Sequence, residues 1–201
     1  VVNRDIFIRT VCLTFAFAFF YSQSSKEGAM ILAVNVILMQ FVNWMSYAVD
    51  GFAFASESLV GKYVGAKDEP QTRKAIRLSF NWGMFFAALF SLVYWLYGVD
   101  LLYIFTDKTD VIEASIPFLF WMILFPILGT PCYIWDGIFI GMTASVAMRN
   151  CMLLALIVFF VSYYFSMDYG NHGLWLTLII FMVARAFFQW LIFKKEGLAL
   201  K

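Results

Sequence analysis

Apolar residues run through this chain in long blocks with short polar breaks, at about 6–23, 29–64, 74–98, 114–142, 146–166 and 173–193. Each block is long enough to cross a ~30 Å hydrocarbon layer as a helix. Between them lie SQSSKEG, GAKDEPQTRK, GVDLLYIFTDKTD, a short MTAS turn and SMDYGNHG. The pattern predicts an all-α integral membrane protein. Its six transmembrane helices would form one bundle, a single membrane domain over 1–201.

The second block departs from plain hydrophobicity. At 100° per residue, Asn35, Met39, Asn43, Ser46, Asp50 and Glu57 fall within roughly a quarter-turn of one another. The rest of the circumference is Leu, Ile, Val, Phe, Trp and Met. One continuous helix from Ala29 to Val64 would be ~54 Å long, so in a ~30 Å layer it must project, tilt or bend. A membrane helix with one wet face predicts the wall of an internal cavity. Asn35 and Ser46 are equally well explained as hydrogen-bonding glue between helices. The carboxylates of Asp50 and Glu57 are costly in hydrocarbon, which makes them functional candidates.

Other polar residues sit at informative depths. Arg9 lies one to two turns into the first block and is expected to snorkel to the headgroups; after Asp5 that block carries no acid. The second block ends in Gly61-x-x-x-Gly65, a spacing that lets helices approach closely. Asp68-Glu69-Pro70 reads as a helix start. The fourth block contains Pro117, Pro126 and Pro131 with Gly129, Gly137 and Gly141. Proline removes a backbone donor and bends a helix, and such interrupted spans often line transporter binding sites. Asp136 follows the last proline. Tyr47-Ala48-Val49-Asp50-Gly51 and Tyr133-Ile134-Trp135-Asp136-Gly137 share a Tyr-x-x-Asp-Gly core, an internal echo of two carboxylate-bearing helices. Arg185 lies roughly 18 Å in from the outer end of the sixth block. A carboxylate partner, Asp136 or Asp50, is expected for it, either as a structural pair or as a coupling switch.

Charge orients the bundle. With the N-terminus inside, the cytoplasmic side collects Arg4, Arg9, Lys62, Lys67, Arg73, Lys74, Arg77, Arg149, Lys194, Lys195 and Lys201, against Lys26 and Lys108 outside. Both ends are therefore expected in the cytoplasm. The chain is 63% hydrophobic, well above the roughly half of typical soluble chains. A net charge of +1 gives no pointer to nucleic acid. Cys12, Cys132 and Cys151 lie in apolar runs and His172 is the single histidine, so neither a disulfide framework nor a metal site is predicted, and no cofactor. An intramembrane enzyme would need a nucleophile–base pair or a metal cluster; none is visible. The chain opens on Val1-Val2-Asn3 rather than Met, which reads as a piece of a longer polypeptide or as a processed chain.

Residues 50–68, DGFAFASESLVGKYVGAKD, resemble the second helix of a six-helix lobe in multidrug and toxic compound extrusion (MATE) transporters. The shared pattern is Asp-Gly, an Ala-rich stretch, Glu-x-Leu-Val-Gly and Gly-Ala. NRDIFIRT (3–10) and DGIFIGMTASVAMRN (136–150) fit the same family, and within it the chain is similar to the DNA-damage-inducible F-like bacterial branch. The resemblance covers nearly the whole chain but only the second lobe of a two-lobed, twelve-helix transporter. It implies a multi-pass protein of the bacterial inner membrane whose lobes alternate around a central cavity. Amphipathic, often cationic compounds would be exported in exchange for protons or sodium ions. The implied partners are membrane lipid, the small substrate, the ions, and the missing N-terminal lobe or a second copy.

By the same resemblance, Asp136 matches a fourth-helix aspartate that takes part in cation coupling in some members. Those members also use an acid on the first helix of this lobe, which this chain lacks after Asp5. In the branch it resembles, the proton role is assigned to an aspartate on the other lobe. The candidate coupling or substrate residues are Asp50, Asp136, Glu57, Arg185, Asn35 and Asn43. Protonation of such a carboxylate removes the charge that holds a cation or Arg185, and a helix kinked at Asp-Gly or Pro can then repack. Two alternatives stand beside this. One is a lipid-linked oligosaccharide flippase, whose cavity would be richer in cations than a chain with Arg185 as its only deep one. The other is a scaffold in which the polar stripe is only helix glue.

Overall fold

The computed structural model describes residues 2–197, which fold almost entirely as helix. Six long helices follow one another: α1 (Val2–Lys26), α2 (Ala29–Gly65), α3 (Glu69–Phe105), α5 (Leu119–Gly141), α6 (Ser145–Ser166) and α7 (Gly170–Glu196). A short α4 (Thr109–Ser115) precedes α5. By length and apolarity five stretches can cross a membrane, and the last of them, Ser145–Lys195, holds both α6 and α7. These two separate at a 3₁₀ turn, Met167–Tyr169, and at Gly170, whose φ of 55° is left-handed. The chain runs up and down, so one end of the bundle gathers Arg4, Lys62, Arg77, Arg149 and Lys194. This is called the basic end below.

Two boundaries differ from the sequence reading. The third helix does not stop near residue 98 but continues to Phe105, because Leu101-Leu102-Tyr103-Ile104 remain apolar and Asp100 alone does not break the turn. The fourth block is not one helix. Pro117 lacks an N–H and disfavours helical geometry in the residue before it, and the chain tightens into a 3₁₀ turn at Ile116–Phe118 between α4 and α5. Pro126 and Pro131, by contrast, stay inside α5. The start of α3 is as expected: the Gln71 N–H donates to the Asp68 carboxylate at 3.1 Å, and Pro70 sits in the first turn.

The α2–α3 and α5–α6 turns are built alike. Lys67 and Thr143 take left-handed φ values of 55° and 57°. In each turn the next residue donates back to the previous helix, Asp68 N–H to Tyr63 and Ala144 N–H to Phe139, both at 2.9 Å. This pattern satisfies carbonyls that the helix end would otherwise leave unpaired. α5 is the central element, packed on α2, α3 and α7. Its crossing with α2 is tight. A Cβ at Gly137 would stand 2.2 Å from the Ala53 carbonyl oxygen, and one at Gly141 would stand 2.5 Å from that of Glu57. Of the Gly61-x-x-x-Gly65 pair only Gly61 takes part, against Gly141; Gly65 faces open space. α1 leans on α6 more than on α2, which leaves a cleft between α1 and α2.

Candidate functional site

That cleft leads to a cavity of about 290 Å³ in the basic half of the bundle. α1 contributes Arg9, Leu13 and Phe17; α2 contributes Asp50, Ala53, Phe54 and Glu57; α5 contributes Tyr133 and Asp136; α7 contributes Arg185. The close α2–α5 crossing at Gly137 forms its floor and brings the two Asp-Gly segments together. Their environments differ all the same. Gly137 is wedged against α2 while Gly51 meets nothing within 4 Å, and Tyr133 lines the cavity while Tyr47 is exposed.

Asp136 is the centre of the ionic network. Its Oδ2 accepts from Arg9 and, at 2.6 Å, from Arg185; its Oδ1 accepts from the Gln189 amide at 2.7 Å. Asp136, Arg185 and Gln189 are buried, at 7%, 2% and 2% exposure. The Arg185 guanidinium also lies over the Phe181 ring, 5.6 Å from its centre. The carboxylate partner expected for Arg185 is thus Asp136. Arg9 does not snorkel. It turns inward onto Asp136, because the α1–α2 cleft puts a buried carboxylate within its reach. The cavity therefore holds two arginines, not the single deep one read from sequence, and Gln189 was not foreseen at all. The Nε atoms of Arg9 and Arg185 and the Gln189 Oε1 are buried without a hydrogen-bond partner among the described residues.

Asp50 and Glu57 line the same cavity, half-buried, and make no ion pair among the described residues. Three carboxylates thus face two guanidinium groups, a formal excess of one negative charge. Asp136 pairs with both guanidinium groups, so that triad is net positive by one, and Asp50 and Glu57 supply the two negative charges that face it.

Asn35 and Asn43 are not among the residues that line this cavity. Asn35 is fully buried near the opposite end of the bundle. Its Nδ2 donates to Ser24 at 2.7 Å and to Asn171 at 2.6 Å, and its Oδ1 accepts from Asn171 at 3.0 Å and from Trp175 at 2.9 Å. Every polar atom of the amide is occupied by helix-to-helix bonds. Asn43 is half-buried between the two regions. Helical periodicity set these residues on one face of α2 but carried no information about their depth.

A second, partly buried ion pair fastens α1 to α6. Asp5 is fully buried, and Arg149 donates to it at 2.6 Å, with Ser145 at 3.4 Å. Asp5 and Arg9 are four residues apart, on one face of α1. The segments NRDIFIRT and DGIFIGMTASVAMRN are therefore two sides of one contact, joined by Asp5–Arg149 and Arg9–Asp136.

The MatE family model matches residues 6–165. The chain belongs to the MatE family. It is 35% identical over 184 residues to DNA damage-inducible protein F of Escherichia coli (strain K12), a match covering 92% of this chain and 40% of that protein. The chain thus spans less than half the length of the curated relative it matches. MatE proteins are membrane transporters rather than enzymes, and an all-α, multi-pass membrane bundle is the architecture found here. The two ion pairs that tie α1 to α5 and α6 lie within the matched region or next to its start.

Proposed function

We propose that this chain is one lobe of a secondary active transporter. It exports amphipathic, often cationic compounds in exchange for protons or sodium ions by alternating access. The observation that carries this reading is the cavity. Ionisable side chains are costly in a membrane interior and mark substrate or ion paths, and here five of them converge between apolar walls. Asp50 and Glu57, which make no ion pair among the described residues, are the groups to receive a cationic compound or a proton. Phe17 and Phe54 offer apolar contact beside them. Asp136 is a positioning residue in this scheme, holding Arg9 and Arg185 in place.

Of the two coupling ions, the arrangement favours the proton. Both Asp136 oxygens already accept from arginine or glutamine donors, which leaves this carboxylate poorly suited to ligate sodium. The same pairing argues against a lipid-linked oligosaccharide as cargo. Two arginines line the cavity, but both are paired with Asp136, and Asp50 and Glu57 leave the cavity with a formal excess of negative charge that disfavours an anionic headgroup. The cleft between α1 and α2 is closed by a second lobe, either an N-terminal half or a second copy. The protein sits in the bacterial inner membrane with its basic end, and so both ends of the chain, in the cytoplasm.

The test is gradient-driven efflux of a cationic dye by the complete transporter reconstituted in vesicles. Asp50→Asn with Glu57→Gln is expected to abolish efflux, and imposing a proton gradient to drive the wild type without sodium. Unchanged efflux in the double variant would refute the assignment of cargo to these carboxylates. Native mass of the chain in mild detergent separates self-pairing, seen as a dimer, from one lobe of something larger.

A further inference from the structure

We propose that the outer groove between α3, α5 and α7 binds an anionic phospholipid, with an acyl chain in the groove and the phosphate between Arg77 and Lys194. The groove encloses about 500 Å³ and is lined by apolar side chains, among them Phe80, Pro131, Trp135, Ala186, Phe187 and Trp190. That volume is within the range of small-molecule sites, ~300–1,000 Å³. It is distinct from the ionic cavity and lies across the α5–α7 contact from it. The neighbouring residues Trp135 and Asp136 line groove and cavity respectively, and so do Ala186 and Arg185.

The occupant follows from the groove's rim. Arg77 stands one turn before Phe80 on α3, and Lys194 one turn after Trp190 on α7, so two cations flank the basic end of the groove. The Lys194 ammonium lies 5.2 Å above the Trp190 ring, which draws its charge toward the groove. Both side chains are exposed, and neither forms an ion pair among the described residues. An apolar slot flanked at its basic end by two cations that are unpaired among the described residues complements a phosphate monoester or diester on a hydrocarbon tail. The same rim repels an amphipathic cation. The second lobe belongs at the α1–α2 cleft, which leaves this face to the bilayer.

Native mass spectrometry of the chain purified in neutral detergent tests this, with phosphatidylglycerol and phosphatidylcholine of identical acyl chains added in turn. Phosphatidylglycerol is expected to be retained roughly tenfold better. Arg77→Gln and Lys194→Gln should each weaken its retention about fivefold, the equivalent of ~1 kcal/mol per basic residue. Lys62→Gln, an equal loss of charge on α2, should leave it unchanged. Equal retention of the two lipids overturns the proposal. So does a Lys62→Gln effect as large as those at the groove, which would mean general attraction to the basic end. Because the readout is lipid retention and not transport, its failure leaves the reading of the ionic cavity standing.

Discussion

The two Asp-Gly segments offer a paired experiment: Gly137→Ala on α5 and Gly51→Ala on α2. At Gly137 the new Cβ would lie 2.2 Å from the Ala53 carbonyl oxygen and 2.8 Å from its carbon, whereas ordinary contact begins at 3.4 Å. The obstacle is backbone, so no rotamer change clears it, and α2 and α5 must part by more than 1 Å at this point. A gap of that order forfeits roughly a quarter to a half of each nearby dispersion contact. Overpacking of this kind costs about 1–3 kcal/mol, and the upper end applies here. Alanine's better helix propensity returns ~1 kcal/mol, for a net loss of about 2 kcal/mol. Gly51 meets nothing within 4 Å, so Gly51→Ala keeps only the propensity term and should gain ~1 kcal/mol. The two variants would thus differ by about 3 kcal/mol with opposite signs. Reversible unfolding in mixed micelles of rising denaturing-detergent content, followed by circular dichroism, measures both. If they shift in the same direction, the close α2–α5 crossing is not what holds the cavity floor.

Three further outcomes follow from the polar contacts. Asp136→Asn leaves two arginines facing a neutral amide and should cost about 3–5 kcal/mol; adding Arg185→Met should recover part of that loss, and strict additivity in a double-mutant cycle would contradict the network. Asn35→Ala strips partners from Ser24, Asn171 and Trp175 and should lower stability by about 1–3 kcal/mol. Dye efflux per folded transporter should be unaffected, and a selective loss of efflux would return Asn35 to the transport path. Asp50→Asn removes a half-buried carboxylate that has no ion-pair partner among the described residues, so it should leave stability unchanged or raise it while lowering the chain's affinity for a cationic dye measured by fluorescence anisotropy.

Much of the architecture was legible because a bilayer permits few alternatives: apolar block length alone located α1, α2, α3, α6 and α7 to within several residues. The Arg185–Asp136 pair was also legible, since a deep guanidinium needs a carboxylate. Arg9 was not, because distance from a helix start measures position along the axis and says nothing of the direction the side chain takes. The direction came from a cleft created by how α1 leans on α6. Asn35 was misplaced for the complementary reason. Its angle on α2 matches that of Asp50, yet fifteen residues separate them by ~22 Å along the helix. The glycine spacing was read at Gly61 and Gly65, but the tighter pair is Gly137 and Gly141. Only the crossing partner decides which glycines are needed.

The ion pairs on α1 bear on how the protein is made. Arg9 and Asp136 are 127 residues apart in the chain, and Asp5 and Arg149 are 144 apart. At a synthesis rate of about 5–20 residues per second, roughly 6–30 seconds pass between emergence of the first partner and the second. Throughout that interval α1 lacks the partners on α5 and α6 that bury its charges in the folded protein, and only Arg4 and Arg9 stand near Asp5. It should therefore wait at the membrane surface, or under the care of an insertion factor, and settle after α5 and α6 although it is made before them. Timed labelling of Cys12, with Cys132 and Cys151 replaced by alanine, on ribosome-bound chains should find it water-accessible until Arg149 has emerged, and protected afterwards.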